Sequence, residues 1–178
     1  DNVWEATELR SKYKNRWVEG GKYKVSELGM NVPFIANWPG VIPAGRVSEE
    51  LIDFSDFLPT LCETAEVEVP DELAIDGRSF LPILKGQESS SREWVYSWGG
   101  FIKTSMRYKD PVAYKDEHIH VMRNRRWKYY SDGRLFDLEQ DPFEEHPVDL
   151  STNPEAQAAQ GFLEAELLQL RTNGEVLW

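Results

Sequence analysis

Apolar and polar positions along the chain follow two different rhythms. Val32 to Trp38 is a short apolar run containing β-branched and aromatic residues, cut off by Pro39-Gly40. That pattern predicts a buried strand. Gly20, Gly21 and Gly29 punctuate the segment before it, which predicts a loop. Ile42-Pro43-Ala44-Gly45-Arg46 predicts a turn, and Glu50 to Asp53 a short strand with Leu51 and Ile52 as its apolar residues. A helix follows. Ser55 or Asp56 supplies its cap, Pro59 fits its first turn, and Phe57, Leu58, Leu61, Cys62 and Ala65 make an apolar face. Asp76-Gly77-Arg78-Ser79 turns the chain into a short helix, Phe80 to Leu84, stopped by Lys85-Gly86.

Gln87 to Arg92 is polar and serine-rich, as expected of a surface linker. It divides the sequence into residues 1–86 and a C-terminal subdomain, residues 87–178. Beyond it the pattern changes to strands. Trp94 to Trp98 is β-prone, and His118 to Arg123 alternates. Trp127 to Tyr130 and Arg134 to Leu138 flank Ser131-Asp132-Gly133, a hairpin signal. Gly99 to Asp116 lacks a period and reads as a long loop. About four antiparallel strands are expected. Asn153 before Pro154 starts a last helix, with Phe162, Leu163, Ala165, Leu167, Leu168 and Leu170 on one face and Asn173-Gly174 at its end. That helix is expected to lie across the small sheet. Residues 1–19 are charged and aromatic without a clear period.

Composition narrows the function classes. The 178 residues are 40% hydrophobic and include seven Trp, enough for one domain with a real core or a large piece of a bigger one. No run approaches the length of a membrane-spanning helix. The net charge of −11 is a poor match for nucleic acid or an anionic membrane. A site for an anion would have to be locally positive against that field. Cys62 is the only cysteine, so no internal disulfide forms, and its apolar setting favours a buried hydrophobe over a nucleophile. The opening residues, Asp1-Asn2-Val3-Trp4-Glu5, carry no leader pattern and read as the middle of a protein.

The candidate chemistry begins at Lys22. A lysine behind two glycines suits an anion: the glycines let backbone approach, and the ammonium is a compact charge with three donors. Glu27 follows five positions later; it either pairs with Lys22 or Lys24 to hold the loop or is a solvated carboxylate. The order Gly21-Lys22, Glu27, Gly29, Val32-Pro33-Phe34-Ile35, Trp38-Pro39-Gly40, Ile42-Pro43-Ala44-Gly45 resembles the C-terminal half of formylglycine-dependent sulfatases, in the alkaline-phosphatase-like superfamily. The likeness continues through Asp56-Phe57-Leu58-Pro59-Thr60-Leu61, Asp76-Gly77-Arg78-Ser79-Phe80, Arg126-Trp127-Lys128-Tyr129 and Leu135-Phe136-Asp137-Leu138-Glu139-Gln140-Asp141-Pro142. It covers nearly the whole chain, and ordered blocks are more specific than any one of them.

The resemblance implies an α/β fold: the last part of a large mixed sheet, then a small antiparallel sheet packed by a terminal helix. It implies hydrolysis of a sulfate ester, on a small molecule or a carbohydrate, by an exported enzyme. It makes Lys22 a sulfate ligand that acts in catalysis. It makes Asp1 and Asn2 ligands of a divalent cation, usually calcium, to which hard oxygen donors are suited. Val3 departs from the pattern, where the family usually has glycine. The formylglycine arises from Cys or Ser before Pro-Ser-Arg, a motif absent here; Cys62 precedes Glu63-Thr64-Ala65. The nucleophile and the remaining metal ligands are therefore expected in an N-terminal part of the same enzyme, and the isolated chain is expected to be inactive. His118 and His120 are further candidates for sulfate or sugar hydroxyls, or are simply exposed on one strand face. Asp56 reads as a helix cap rather than a catalytic acid. Arg123, Arg125, Arg126 and Lys128 read as internal charge pairing rather than a nucleic-acid patch. Two other readings stay open: a phosphoester or phosphonate hydrolase of the same superfamily, and a non-catalytic carbohydrate-binding module using Trp94, Trp98 and Tyr108.

Overall fold

A computed structural model describes residues 10–21, 24–87, 92–99 and 119–172. The chain divides into two compact units. One joins residues 1–33 to 96–178, and the other runs from Phe34 to Val95.

The first unit is built on a four-stranded sheet of β3 (Val95–Gly99), β4 (Ile119–Arg123), β5 (Trp127–Tyr130) and β6 (Leu135–Asp137), in that spatial order. β4 pairs antiparallel with β5, and β5 with β6. The expected strands and hairpin are present. Gly133, at φ +95°, supplies the left-handed residue that the β5–β6 turn requires. At the β4–β5 turn, Asn124 Oδ1 accepts from the backbone N–H groups of Arg126 and Trp127.

Register assigns two faces. Val121 opposes Tyr130, Arg123 opposes Lys128, and Lys128 opposes Phe136; these share one face. Met122 opposes Tyr129, and Tyr129 opposes Leu135, on the other. The second face is covered by α4 (Pro154–Thr172), whose buried residues are Ala156, Leu163 and Leu167. Tyr129 donates its hydroxyl to Glu164 of that helix at 3.2 Å. As expected, Asn153 caps α4, its Oδ1 accepting from Ala156 N–H at 3.0 Å. The buried stripe is narrower than predicted: Phe162, Ala165 and Leu168 are exposed. On the first face, Val121, Tyr130, Phe136 and Leu138 pack around Val25, with Met30 and Ile119 against them.

Residues 10–19, without a readable period, form an antiparallel hairpin of β1 (Arg10–Tyr13) and β2 (Arg16–Glu19) turned by Lys14 at φ +52°. Only Val18 of its strands is buried, which is why no apolar rhythm marks it.

The second unit carries α2 (Phe57–Thr64), preceded by a 3-10 turn at Phe54–Asp56, and α3 (Leu81–Leu84). Phe34, Phe57 and Phe80 pack edge to face, with centroids 5.3–5.6 Å apart. The buried strand expected at Val32–Trp38 is not one: the segment is irregular, and Val32, Phe34, Ile35 and Trp38 are exposed. No described strand pairs with it, and a β-prone run without a ladder partner has nothing to satisfy its backbone groups but water. Glu50–Asp53 likewise forms no strand. The face of α2 predicted to be apolar is largely open, with Leu58 and Leu61 exposed; the buried side chain is Thr60. Its hydroxyl donates to Asp56 C=O at 2.6 Å and accepts from Phe80 N–H at 3.0 Å, tying α2 to α3.

Candidate functional site

The strongest sequence candidate, Lys22, lies outside the described residues, as do Asp1, Asn2 and His118. The segments on either side of Lys22 are described, and they form a closed loop. Lys24 N–H donates to Gly21 C=O at 2.9 Å. A Cβ on Gly21 would meet the Leu28 carbonyl carbon at 2.2 Å, and one on Gly29 would meet the carbonyl oxygens of Lys24 and Gly21 at 2.1 and 2.3 Å. Both glycines are thus required by close backbone approach. α1 (Glu27–Met30) closes the far side of the loop.

Two side chains fasten this loop to the sheet. Val25 enters the core beside Val121 and Tyr130. Glu27 is buried, which corrects the reading of it as solvated; its pairing with Lys22 lies outside the described residues. Its Oε2 accepts from Arg123 at 2.6 Å and its Oε1 from Lys128 Nζ at 3.1 Å. Lys128 is fully buried and also donates to Glu144 Oε1 at 3.0 Å. Glu144 Oε1 accepts the Glu27 backbone N–H, and Glu144 Oε2 accepts the Tyr130 hydroxyl. The two cations and two carboxylates cancel, the condition under which burying charge is tolerable. Ser26 Oγ is buried beside them with no hydrogen-bond partner among the described residues.

Internal pairing also accounts for Arg126. It binds Asp137 through Nε and Nη, with the Nη2 contact at 2.9 Å, and reaches Glu155 at 2.8 Å. Burial pushes the Asp137 carboxyl up, but Arg126 outweighs it and the group sits below the usual carboxylate range.

His120 is buried, which corrects its reading as an exposed strand residue. Its Nδ1 lies 2.8 Å from the Tyr96 hydroxyl, and the two rings stack at 6.0 Å. The His120 backbone N–H donates to Ser131 Oγ at 3.0 Å. Alternation places it with Met122, on the sheet face opposite Arg123 and Lys128. The structure therefore does not bring His120 to the Glu27 side.

Asp56 is buried but does not cap α2 with its side chain. Asp53 caps the preceding 3-10 turn instead, its Oδ1 accepting from Ser55 N–H at 2.9 Å. The Asp56 carboxylate accepts from Asp53 N–H at 2.8 Å and Arg78 N–H at 2.7 Å, and takes both Nε and Nη2 of Arg92. Burial pushes this carboxyl up, yet Arg92 and the two backbone donors hold it below the ordinary value.

Among the described residues, Asp141, Glu145 and His146 bring ligand atoms within 4.8 Å of one another. Arg16 already holds Glu145 in a two-pronged pair at 2.7 and 3.2 Å, so a guanidinium supplies the positive charge there.

Lys128, Glu144 and Arg123 are the residues that sequence reasoning did not place in the site. A lysine between Trp127 and Tyr129 in a strand was the available signal, since a buried lysine demands a partner. Glu144 offered none.

Residues 16–173 match the family model described as N-sulphoglucosamine sulphohydrolase, C-terminal. The chain belongs to this family. The match spans the second strand of the hairpin, the Gly21–Gly29 loop, the small sheet and all of α4. An ulvan-active sulfatase from Formosa agariphila is 28% identical over 88% of this chain and 36% of its own length. Human arylsulfatase D is 32% identical over 72% of this chain and 25% of its own length. The solved structure of a phosphonate monoester hydrolase from Silicibacter pomeroyi superposes with a TM-score of 0.55 at 23% identity, covering 77% of this chain and 28% of that one; it speaks to the fold alone. The chain thus spans about a quarter to a third of the length of these relatives. The sulfatase fold class expected from sequence, a small antiparallel sheet with a C-terminal helix, is the one found.

Proposed function

We propose that this chain is the C-terminal portion of a sulfuric ester hydrolase and that Lys22 is its direct contribution to the active site. The observation that carries the reading is the family match across the Gly21–Gly29 loop and the sheet that anchors it. Lys22 falls between Gly21 and Lys24, two residues held together by a hydrogen bond. An ammonium there would bind a sulfuryl oxygen and stabilise the charge that builds as the ester bond breaks. Asp1 and Asn2, with ligands from the preceding part of the enzyme, would hold a divalent cation, calcium by its preference for hard oxygen donors. That cation would supply Lewis-acid stabilisation of the sulfate oxygens. A formylglycine in the same preceding part would provide the nucleophile.

The substrate class is a sulfate ester carried by a small molecule or a sulfated carbohydrate. The family's own description names N-sulphoglucosamine, an amino sugar that carries its sulfuryl group on nitrogen rather than as an ester; it supports a carbohydrate carrier. His120 has partners inside the sheet in Tyr96 and Ser131, so substrate contact by histidine falls to His118. The exposed apolar run Val32–Trp38 fits the same picture: it would become a strand when the preceding part of the enzyme supplies its ladder partner.

The test is turnover of an aryl sulfate by the full-length enzyme. Lys22→Ala should lower it by about 10²-fold or more, as for loss of an oxyanion ligand. Wild-type rates would remove Lys22 from the site. A wild-type enzyme that cleaves aryl phosphonate monoesters in preference to aryl sulfates would replace the sulfatase reading with the phosphonate one.

A further inference from the structure

Glu144 and Lys128 lie far from Lys22 in sequence, and no part of the proposed chemistry uses them. We propose that they are positioning residues for the loop that carries Lys22, acting through Glu27; the inference rests on the proposed role of Lys22.

Three features of the structure lead here. First, Lys128 is fully buried, and both of its carboxylate partners serve the loop. Glu27 is itself a loop residue, at the start of α1. Glu144 grips that residue's backbone N–H with the same oxygen that accepts Lys128. A buried ion pair is poor evidence of stability, because an apolar set of equal volume often does as well. What charge pairs do supply is a directional constraint on where the loop must sit. Second, the constraint is doubled. Arg123 holds the other oxygen of Glu27 at 2.6 Å, and the Tyr130 hydroxyl holds the other oxygen of Glu144. Neither carboxylate can rotate without losing a partner. Glu144 is also held at φ +57°, a conformation that side chains other than glycine rarely adopt. Third, the described backbone on either side of Lys22 is closely packed. The Gly21–Gly29 approach and the Lys24-to-Gly21 hydrogen bond leave little slack, so a shift of Glu27 is passed on to the backbone flanking Lys22. Displacement of a catalytic group by about 1 Å can cost on the order of 10²-fold in rate.

A double-mutant cycle in the full-length enzyme tests this, with rates expressed per correctly folded enzyme. Glu144→Gln keeps the shape but loses the charge that balances Lys128. It should lower kcat for an aryl sulfate by about tenfold, with KM changing far less. In a Lys22→Ala background the same substitution should change kcat by less than about twofold, because the group it positions is gone. Tyr130→Phe is the gentler variant should Glu144→Gln fail to fold. It frees one oxygen of Glu144 and should lower kcat about threefold, again only when Lys22 is present. Equal losses in both backgrounds, or wild-type kcat in a folded Glu144→Gln enzyme that still depends on Lys22, would overturn the positioning role alone. A Lys22→Ala enzyme of undiminished rate would overturn the role of Lys22, and the positioning with it.

Discussion

Asp56→Ala should be among the most damaging single substitutions in the second unit, although Asp56 has no part in the proposed chemistry. The carboxylate is 2% exposed and gathers four donors: Asp53 N–H, Arg78 N–H, and the Nε and Nη2 of Arg92. The Arg92 side chain is itself only 11% exposed. Removing the acid strands a largely buried guanidinium, a loss of about 3–5 kcal/mol. The two orphaned N–H groups add less than the full cost of about 1–3 kcal/mol each, because Asp53 and Arg78 border solvent and can recruit water. A total near 4 kcal/mol would consume much of the roughly 5–15 kcal/mol that holds a domain folded. Urea unfolding of the intact protein at pH 7 measures it. Asp56→Asn should cost about 3–5 kcal/mol as well, because it keeps the shape but leaves Arg92 unbalanced and turns an NH2 donor toward donors. The pH dependence gives a second check. The folded carboxyl titrates below its unfolded value of 3.8, so its contribution is complete above about pH 4. It is lost as pH falls through the lower, folded value. The gap between wild type and Asp56→Asn should therefore narrow below pH 4 and stay constant from pH 5 to 7. A loss under 1 kcal/mol for Asp56→Ala, or a gap independent of pH down to 2, would refute the argument that this pair carries the local fold.

Two further outcomes follow from single contacts. Gly29→Ala puts a Cβ about 2 Å from the Lys24 and Gly21 carbonyl oxygens, which cannot yield without opening the loop; aryl sulfate turnover by the full-length enzyme should fall on the order of 10²-fold while the far-ultraviolet circular dichroism stays unchanged. Tyr129 is pushed up to about 12 by burial and then by Glu164, so its folded value lies above its unfolded one and its contribution is complete below pH 10. That contribution is lost as pH rises from 10 to 12, and Tyr129→Phe should flatten the stability curve in that window, as read by thermal unfolding at alkaline pH.

Where a short window contained the cause, the sequence determined the structure. The β5–β6 hairpin follows from Gly133, the only residue type at ease where that turn sends φ. The start of α4 follows from Asn153 ahead of Pro154, a cap and a first-turn proline side by side. The strands from Val95 to Asp137 follow from period-two patterning and β-branched or aromatic content. Family-like blocks pointed to the sulfatase relatives because order and spacing survive in sequence even at 28% identity. Tertiary structure alone decided the rest. Val32–Trp38 has the composition of a strand, but a strand exists only when a neighbour takes up its backbone groups. Glu27 could not be assigned from its own surroundings, because its partners Arg123 and Lys128 stand 96 and 101 positions away. Glu144, 117 positions from Glu27, had no local mark at all. Periodicity reports which side of an element is apolar; it carries no information about which distant charge will arrive to neutralise a buried one, and that choice belongs to the folded chain.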